Sequence, residues 1–207
     1  MFSFKGFFTQ DKNTHLEHLE DDIINRGAKG GENAIAFLTS TRNMLAGNVG
    51  GKINMTGKWD GAPAIICGIN PENGKFFVGT KSVFNATPKI NYTTGDIRKN
   101  HGGVVAQKLE ICLRYLSKLN IKGILQGDLL FTQGDTKVTN INGEKMLSFT
   151  PNTITYAVPA DCDLARKINR AKMGIVFHTS YQGKDMKSLT AGFGTIKGSG
   201  GPNIWLA

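Results

Sequence analysis

Cysteine is scarce in this chain of 207 residues. The three present, Cys67, Cys112 and Cys162, stand far apart. They form no C-x-x-C pair and no even set, which excludes a disulfide framework and a thiolate zinc site. They read as reduced core residues of an intracellular protein. No apolar run is long enough to span a bilayer. Met1 to Gln10 carries Phe2, Phe4, Phe7 and Phe8 but neither a continuous apolar stretch nor a small-residue cleavage site, so it does not read as a secretory signal. It reads as an arm, residues 1–12. There is no internal repeat and no low-complexity block. Acidic residues are the minority, 16 against 25 Lys and Arg, for a net charge of +9. That balance favours polyanionic partners, nucleotides or nucleic acid.

Two familiar patterns are incomplete. Gly47 to Ile53 (GNVGGKI) resembles a phosphate loop, but three residues rather than four separate the glycines, and Ile53 stands where Ser or Thr is needed. It reads as a linker. His15-Leu16-Glu17-His18 offers two histidines and a carboxylate on one helical turn, with no third ligand evident and apolar Leu16 and Leu19 beside them. It reads as solvated helix surface.

The apolar spacing predicts a helix over His15 to Arg26, capped by Asn13 or Thr14 and broken by Gly27, Gly30 and Gly31. A second helix is predicted over Glu32 to Leu45, with Ile35, Leu38, Met44 and Leu45 facing inward. From Lys52 the period shortens. Strands are predicted over Lys52 to Thr56, Ala62 to Gly68 and Phe76 to Val78, with a turn at Asn70-Pro71-Glu72-Asn73-Gly74. Ser82 to Asn100 reads as a polar surface loop. A third helix runs from Gly103 to about Leu119, with Val105, Leu109, Cys112, Leu116 and Leu119 as its apolar stripe. Then come a strand over Ile121 to Phe131, a hairpin from Thr136 to Phe149 around Asn142-Gly143, a strand over Ile154 to Val158, a short basic helix over Pro159 to Lys172, and a strand over Gly174 to His178. Beyond Tyr181 the pattern fades, and Ala191 to Ala207 carries no clear element. The fold class expected is α+β, with an antiparallel β-sheet core and flanking helices.

Between two predicted strands sits Gly57-Lys58-Trp59-Asp60-Gly61. Alone, it is a hairpin turn with a surface lysine. Other segments give it company. Gly79-Thr80-Lys81-Ser82 ends a strand some twenty residues on. Gly127-Asp128, within Gly123 to Phe131, lies about 70 positions after Lys58. Val176-Phe177-His178 is a further strand, and Thr155-Tyr156-Ala157 another.

In this order the segments resemble the covalent nucleotidyltransferase superfamily, which comprises the ATP-dependent DNA ligases, RNA ligases and mRNA capping enzymes. Lys58-Trp59-Asp60-Gly61 matches its K-x-D-G motif in full. Lys81 stands where the family usually has arginine, and Asp128 where it has glutamate. Phe177, or else Tyr156, stands where an aromatic stacks on the base. The glutamate strand and the final lysine strand of the family have no match, although Lys197 is a weak claimant. The wording of the segment also resembles proteins of large tailed bacteriophages. The resemblance implies the nucleotide-binding half of a ligase adenylation domain over residues 51–182, after a helical part at 13–50 and before a Gly-rich segment at 183–207. It implies a lysyl-nucleotide formed at Lys58 from ATP, nucleotide contacts from Trp59, Asp60, Gly61, Lys81, Asp128 and Phe177, and Mg²⁺ near Asp60 and Asp128. It implies DNA or RNA as partner, no membrane, and a place in the cytoplasm of an infected host cell or in the virion. The alternative is a reduced relative that binds nucleotide or nucleic acid without catalysis.

The chemistry sets its own demands. A lysine amine attacks only when neutral, and its reference pKa is about 10.4. Positive charge from Lys81 and a metal, and low dielectric from Trp59, Ile65 and Phe77, would favour the neutral form. Asp60 and Asp128 offer carboxylates to a ribose hydroxyl or to Mg²⁺.

Overall fold

The computed structural model describes residues 18–48, 59–193 and 200–207. The described residues fall into two compact units, 18–48 in one and the remainder in the other. Lys58, Gly57, the predicted strand Lys52 to Thr56, the N-terminal arm, His15 and Lys197 lie outside them.

The first unit is a helical pair, α1 (Leu19–Arg26) and α2 (Ala28–Leu45). The N-cap of α1 is His18, whose backbone N–H donates to Asp21 Oδ2 at 2.8 Å; Asn13 and Thr14, the caps expected, lie outside the described residues. Only Gly27, at φ +57°, breaks the chain; Gly30 and Gly31 lie inside α2. The reason is steric. A Cβ on Gly30 would collide with the Asp22 carbonyl, so the glycine lets the two helix backbones touch. Gly30 and Ala34 are the buried residues of α2, whereas Ile35, Leu38 and Leu45, expected to face inward, are exposed. A partner helix of 8 residues covers only the small-residue face.

The second unit is built on a six-stranded sheet in the order β2-β1-β3-β7-β8, with β1 at Ala64–Ile69, β2 at Phe76–Gly79, β3 at Ile124–Thr132, β7 at Met173–Gln182 and β8 at Thr190–Phe193. These five pair antiparallel. The sixth, β9 (Ile204–Leu206), lies parallel to Met173–Ile175 of β7. The fold is α+β, as expected, but β8 and β9 were not legible in the fading apolar pattern after Tyr181. Both are short edge strands held by the ladder of β7 rather than by their own alternation. A smaller antiparallel sheet joins β4 (Lys137–Ile141), β5 (Glu144–Phe149) and β6 (Tyr156–Pro159). The turn between β4 and β5 is Asn142-Gly143, with φ of 50° and 85°, the left-handed pair that a two-residue hairpin needs.

One face of the large sheet carries α3 (Thr94–Asn100) and α4 (Gly103–Leu116). Ile97, Ala106, Leu109, Cys112 and Leu116 pack there on Ile65, Cys67, Val78, Leu125, Leu129, Ile175 and Phe177. Ala106, not Val105, joins the stripe; Val105 is exposed. Burial raises the thiol of Cys67 and pushes that of Cys112 up to about 12, so both are inert core groups. The opposite face carries two apolar clusters. Ile66, Phe77, Val83, Ile124 and Tyr181 form one. Leu130, Phe131, Leu147, Phe149, Ile168 and Val176 form the other, with α5 (Asp163–Arg170) and the small sheet closing over it. Among the described residues no helix is long and apolar enough to cross a membrane.

The expected loop over Ser82 to Asn100 is largely ordered structure. A 3₁₀ turn occupies Lys81–Phe84, the buried Asn91 bridges to Val78, and α3 follows. The signal was a capping box. The Thr93 hydroxyl accepts the Asp96 N–H at 3.1 Å, and Asp96 Oδ2 accepts the Thr93 N–H at 2.9 Å. The Thr93 hydroxyl, together with the Tyr92 and Thr93 N–H groups, holds the Asp96 carboxyl below its usual value. A depressed carboxylate contributes stability above its unfolded pKa and loses it as pH falls through the folded pKa. Thr93→Ala is therefore expected to cost about 1 kcal/mol at neutral pH, with the difference from wild type shrinking in acid, as read by urea unfolding across pH.

Candidate functional site

The site is organised by β3. This strand is buried along its whole length, yet it carries Gln126 and Asp128, at 7% and 5% exposure. They alternate with Leu125, Gly127 and Leu129, so they point away from the helices. On that face they lie between Ile124 of one apolar cluster and Leu130 of the other. A buried carboxylate in such surroundings costs several kcal/mol unless polar groups answer it.

β7 supplies the answer by slipping register. Gln126 pairs with Thr179 and Gly127 with Phe177, leaving His178 as an extra residue in a β-bulge. A second slip, between Leu129 and Phe131, leaves Leu130 extra on β3. Asp128, opposite Val176, sits between the two. The first bulge brings His178 and Thr179 together beside Asp128. His178 Nε2 is 3.5 Å from Asp128 Oδ1, and its Nδ1 is 2.8 Å from Thr179 Oγ1. Gln126 Oε1 accepts the Tyr181 hydroxyl at 2.6 Å, and burial pushes that phenol up to about 12.

The segment that follows Lys58 is bolted to the same strand. The Ala62 N–H donates to the Leu129 carbonyl at 3.0 Å, and the Leu129 N–H to the Pro63 carbonyl at 3.1 Å. A Cβ on Gly61 would lie 2.5 Å from that Leu129 oxygen, so the glycine of the K-x-D-G run is needed for backbone approach to β3. Ala64 then pairs with Asp128. The Asp60 N–H donates to the Tyr156 hydroxyl at 2.8 Å, and that hydroxyl donates to the Asp60 carbonyl at 3.0 Å. Asp60 Oδ2 accepts the Asn152 side-chain amide at 2.6 Å. Trp59 lies in an aromatic cluster, with ring centroids 4.8 Å from Tyr156 and 5.3 Å from Trp205.

The candidates named from sequence therefore divide. Gly61 meets the strand of Asp128, while Asp60 is held by Tyr156 and Asn152 and Trp59 packs on Tyr156 and Trp205. Lys81 is exposed and opens the 3₁₀ turn just past Gly79, whose partner Ile66 is two residues from Ala64. It thus leaves the sheet at the end where Asp60 enters. Phe177 lies on the other face, buried at 5% exposure among the α4 contacts, and is not brought together with Asp128. Tyr156, the other aromatic candidate, joins Asp60. Asn152, Trp205 and His178 were missed. Only Trp205 left a sequence trace, as one of two tryptophans in the chain. Among the described residues no three His, Cys, Asp or Glu side chains cluster to hold a metal on their own.

The chain belongs to DUF6267. That family, matched over residues 13–206, is described as a family of unknown function. The match takes in both compact units, so the helical pair and the sheet are parts of one family pattern. No curated protein and no solved structure matches the chain. The family description carries no activity, and the nucleotidyltransferase resemblance rests on the residues quoted for it.

Tyr156 is the hinge pin of the Asp60 segment. Tyr156→Phe removes one hydroxyl that serves two backbone groups and is expected to cost about 0.5–1.5 kcal/mol. Both tryptophans belong to this cluster, so urea unfolding followed by tryptophan emission reads the loss directly, with an altered native emission as its sign.

Proposed function

We propose that the chain is a ligase-like nucleotidyltransferase in which Lys58 takes a nucleotide from ATP and passes it on to polynucleotide ends. The observation that carries this is the meeting of the Trp59-Asp60-Gly61 segment with the strand of Asp128. Two motifs far apart in sequence share one end of one sheet, in the order the resemblance implies, and Lys81 leaves the sheet at that same end. In this reading the neutral Lys58 amine attacks the α-phosphorus, a P–N bond forms, the bond to pyrophosphate breaks, and the nitrogen gives up one proton to solvent. Such chemistry asks for positioning and charge neutralisation more than for covalent help. Lys81 supplies positive charge, and Asp128 a carboxylate. The residues fit Mg²⁺ in the manner usual for nucleotide sites, one or two carboxylates with the remaining ligands from water and phosphate. The ion would neutralise phosphate charge when bound.

The test is incubation with α-labelled ATP and Mg²⁺, followed by denaturing electrophoresis. Acid-labile label on the chain, absent from Lys58→Ala, is expected. Nucleotide bound without covalent label would move the reading to a non-catalytic binding protein. Absence of both binding and label across pH and metal would overturn it.

The positive charge belongs to the same reading, since a polynucleotide acceptor has to be held by its backbone. If about four phosphates are neutralised, affinity for DNA or RNA falls on the order of a hundredfold between ~50 and ~200 mM salt. An affinity that does not change with salt leaves the charge without this role.

A further inference from the structure

The proposed chemistry uses Asp128 of the polar group on β3 and β7 but gives no role to His178, whose Nε2 lies 3.5 Å from that carboxylate. Its position costs the protein something. The bulge that presents it interrupts the longest strand pairing of the sheet, between β3 and β7, and places a ring beside a buried carboxylate. Its Nε2 is buried and makes no hydrogen bond of normal geometry. Bulges recur beside active sites, where they re-aim a side chain.

The tautomer of the neutral ring follows from its neighbours. Thr179 Oγ1, 2.8 Å from Nδ1, can donate or accept. A neutral ring with its proton on Nδ1 would point the Nε2 lone pair at the Asp128 carboxylate, which is repulsive at 3.5 Å. With Thr179 donating to Nδ1, the Nε2 proton faces the carboxylate instead, and the contact is attractive. The distance is longer than a formed hydrogen bond, and contacts of this kind in active sites tighten when the ligand is bound.

We infer that His178 is a positioning residue, whose Nε2–H sets the orientation of the Asp128 carboxylate toward the nucleotide. This rests on the nucleotide reading of the site given above. The role resembles that of the groups around a metal or substrate ligand that fix its rotamer without touching the reacting atoms. The bulge is the device that makes it possible. In a regular ladder His178 would stand opposite Gln126, and only one of His178 and Thr179 would lie on the Asp128 face. With the extra residue, the ring and the hydroxyl that orients it reach that face together.

The experiment uses the full chain with Mg²⁺·ATP, reading affinity by calorimetry, the rate of lysyl-nucleotide formation by label, and stability by urea unfolding. His178→Gln keeps an amide N–H near the Nε2 position. His178→Asn places its amide nearer Nδ1 and cannot reach Asp128, and His178→Leu has no donor. Asn and Leu are expected to weaken binding or slow labelling roughly 10- to 100-fold, with Gln restoring most of the loss. In the Asp128→Asn background the Leu change is expected to add no more than about twofold, because the two side chains act as one unit. A merely structural histidine would shift urea unfolding without separating Gln from Asn in affinity or rate. Equal behaviour of Gln and Asn in a chain that still labels overturns this inference alone, as do effects of His178→Leu and Asp128→Asn that multiply. A wild-type chain that neither binds nor labels overturns the nucleotide reading and this inference with it, before any variant is compared.

Discussion

The structure depends on one constraint, a strand buried end to end that nevertheless carries a carboxylate. β3 pairs with β1 on one side and β7 on the other, and it is covered on both faces. Among the described residues, groups near Asp128 are supplied by the pairing. β1 brings Ala64 opposite, and the chain just before β1 brings Gly61 onto the Leu129 carbonyl. β7 brings His178 and Thr179 by slipping one residue. The apolar clusters on either side exclude water and raise the cost of leaving the carboxylate unanswered.

The same economy explains the glycines and aromatics around the Lys58 run. Gly61 allows a close backbone approach that no other residue could make without displacing β3. Trp59 is consumed by packing, wedged among Tyr156, Phe149 and Trp205. Asp60 is fixed by its backbone through Tyr156 and by its side chain through Asn152. The segment is held by contacts from four stretches of chain, β3, β5, β6 with the turn before it, and β9.

The helical pair follows a different logic. Its helix contact is made by Gly30 and Ala34, small residues that bring backbones together, and its large apolar side chains remain exposed. Sequence periodicity marked the helices correctly but assigned the inward face to the large residues. The error has a physical source. Periodicity reports which residues share a face, while the partner's length and shape decide which face is covered.

Much of the fold was legible because it rests on local signals. The two-residue turn at Asn142-Gly143, the stripe of Leu109, Cys112 and Leu116, and the short apolar runs of β1 and β2 follow from backbone preference and apolar patterning, which act within a few residues. The capping box of Thr93 and Asp96 was equally local and was passed over because the stretch is polar. β8, β9 and the two bulges left no local trace, since edge pairing and register are properties of the ladder and not of either strand alone. For the site, the chain by itself determined the chemistry on offer: a lysine before Trp-Asp-Gly, a second lysine, and a carboxylate in an apolar strand, in a suggestive order. Only the tertiary structure decided that the stretch after Asp60 docks on the strand of Asp128, that Phe177 faces the helices and that His178 faces Asp128. A face is a matter of parity along a strand, and a single inserted residue reverses it.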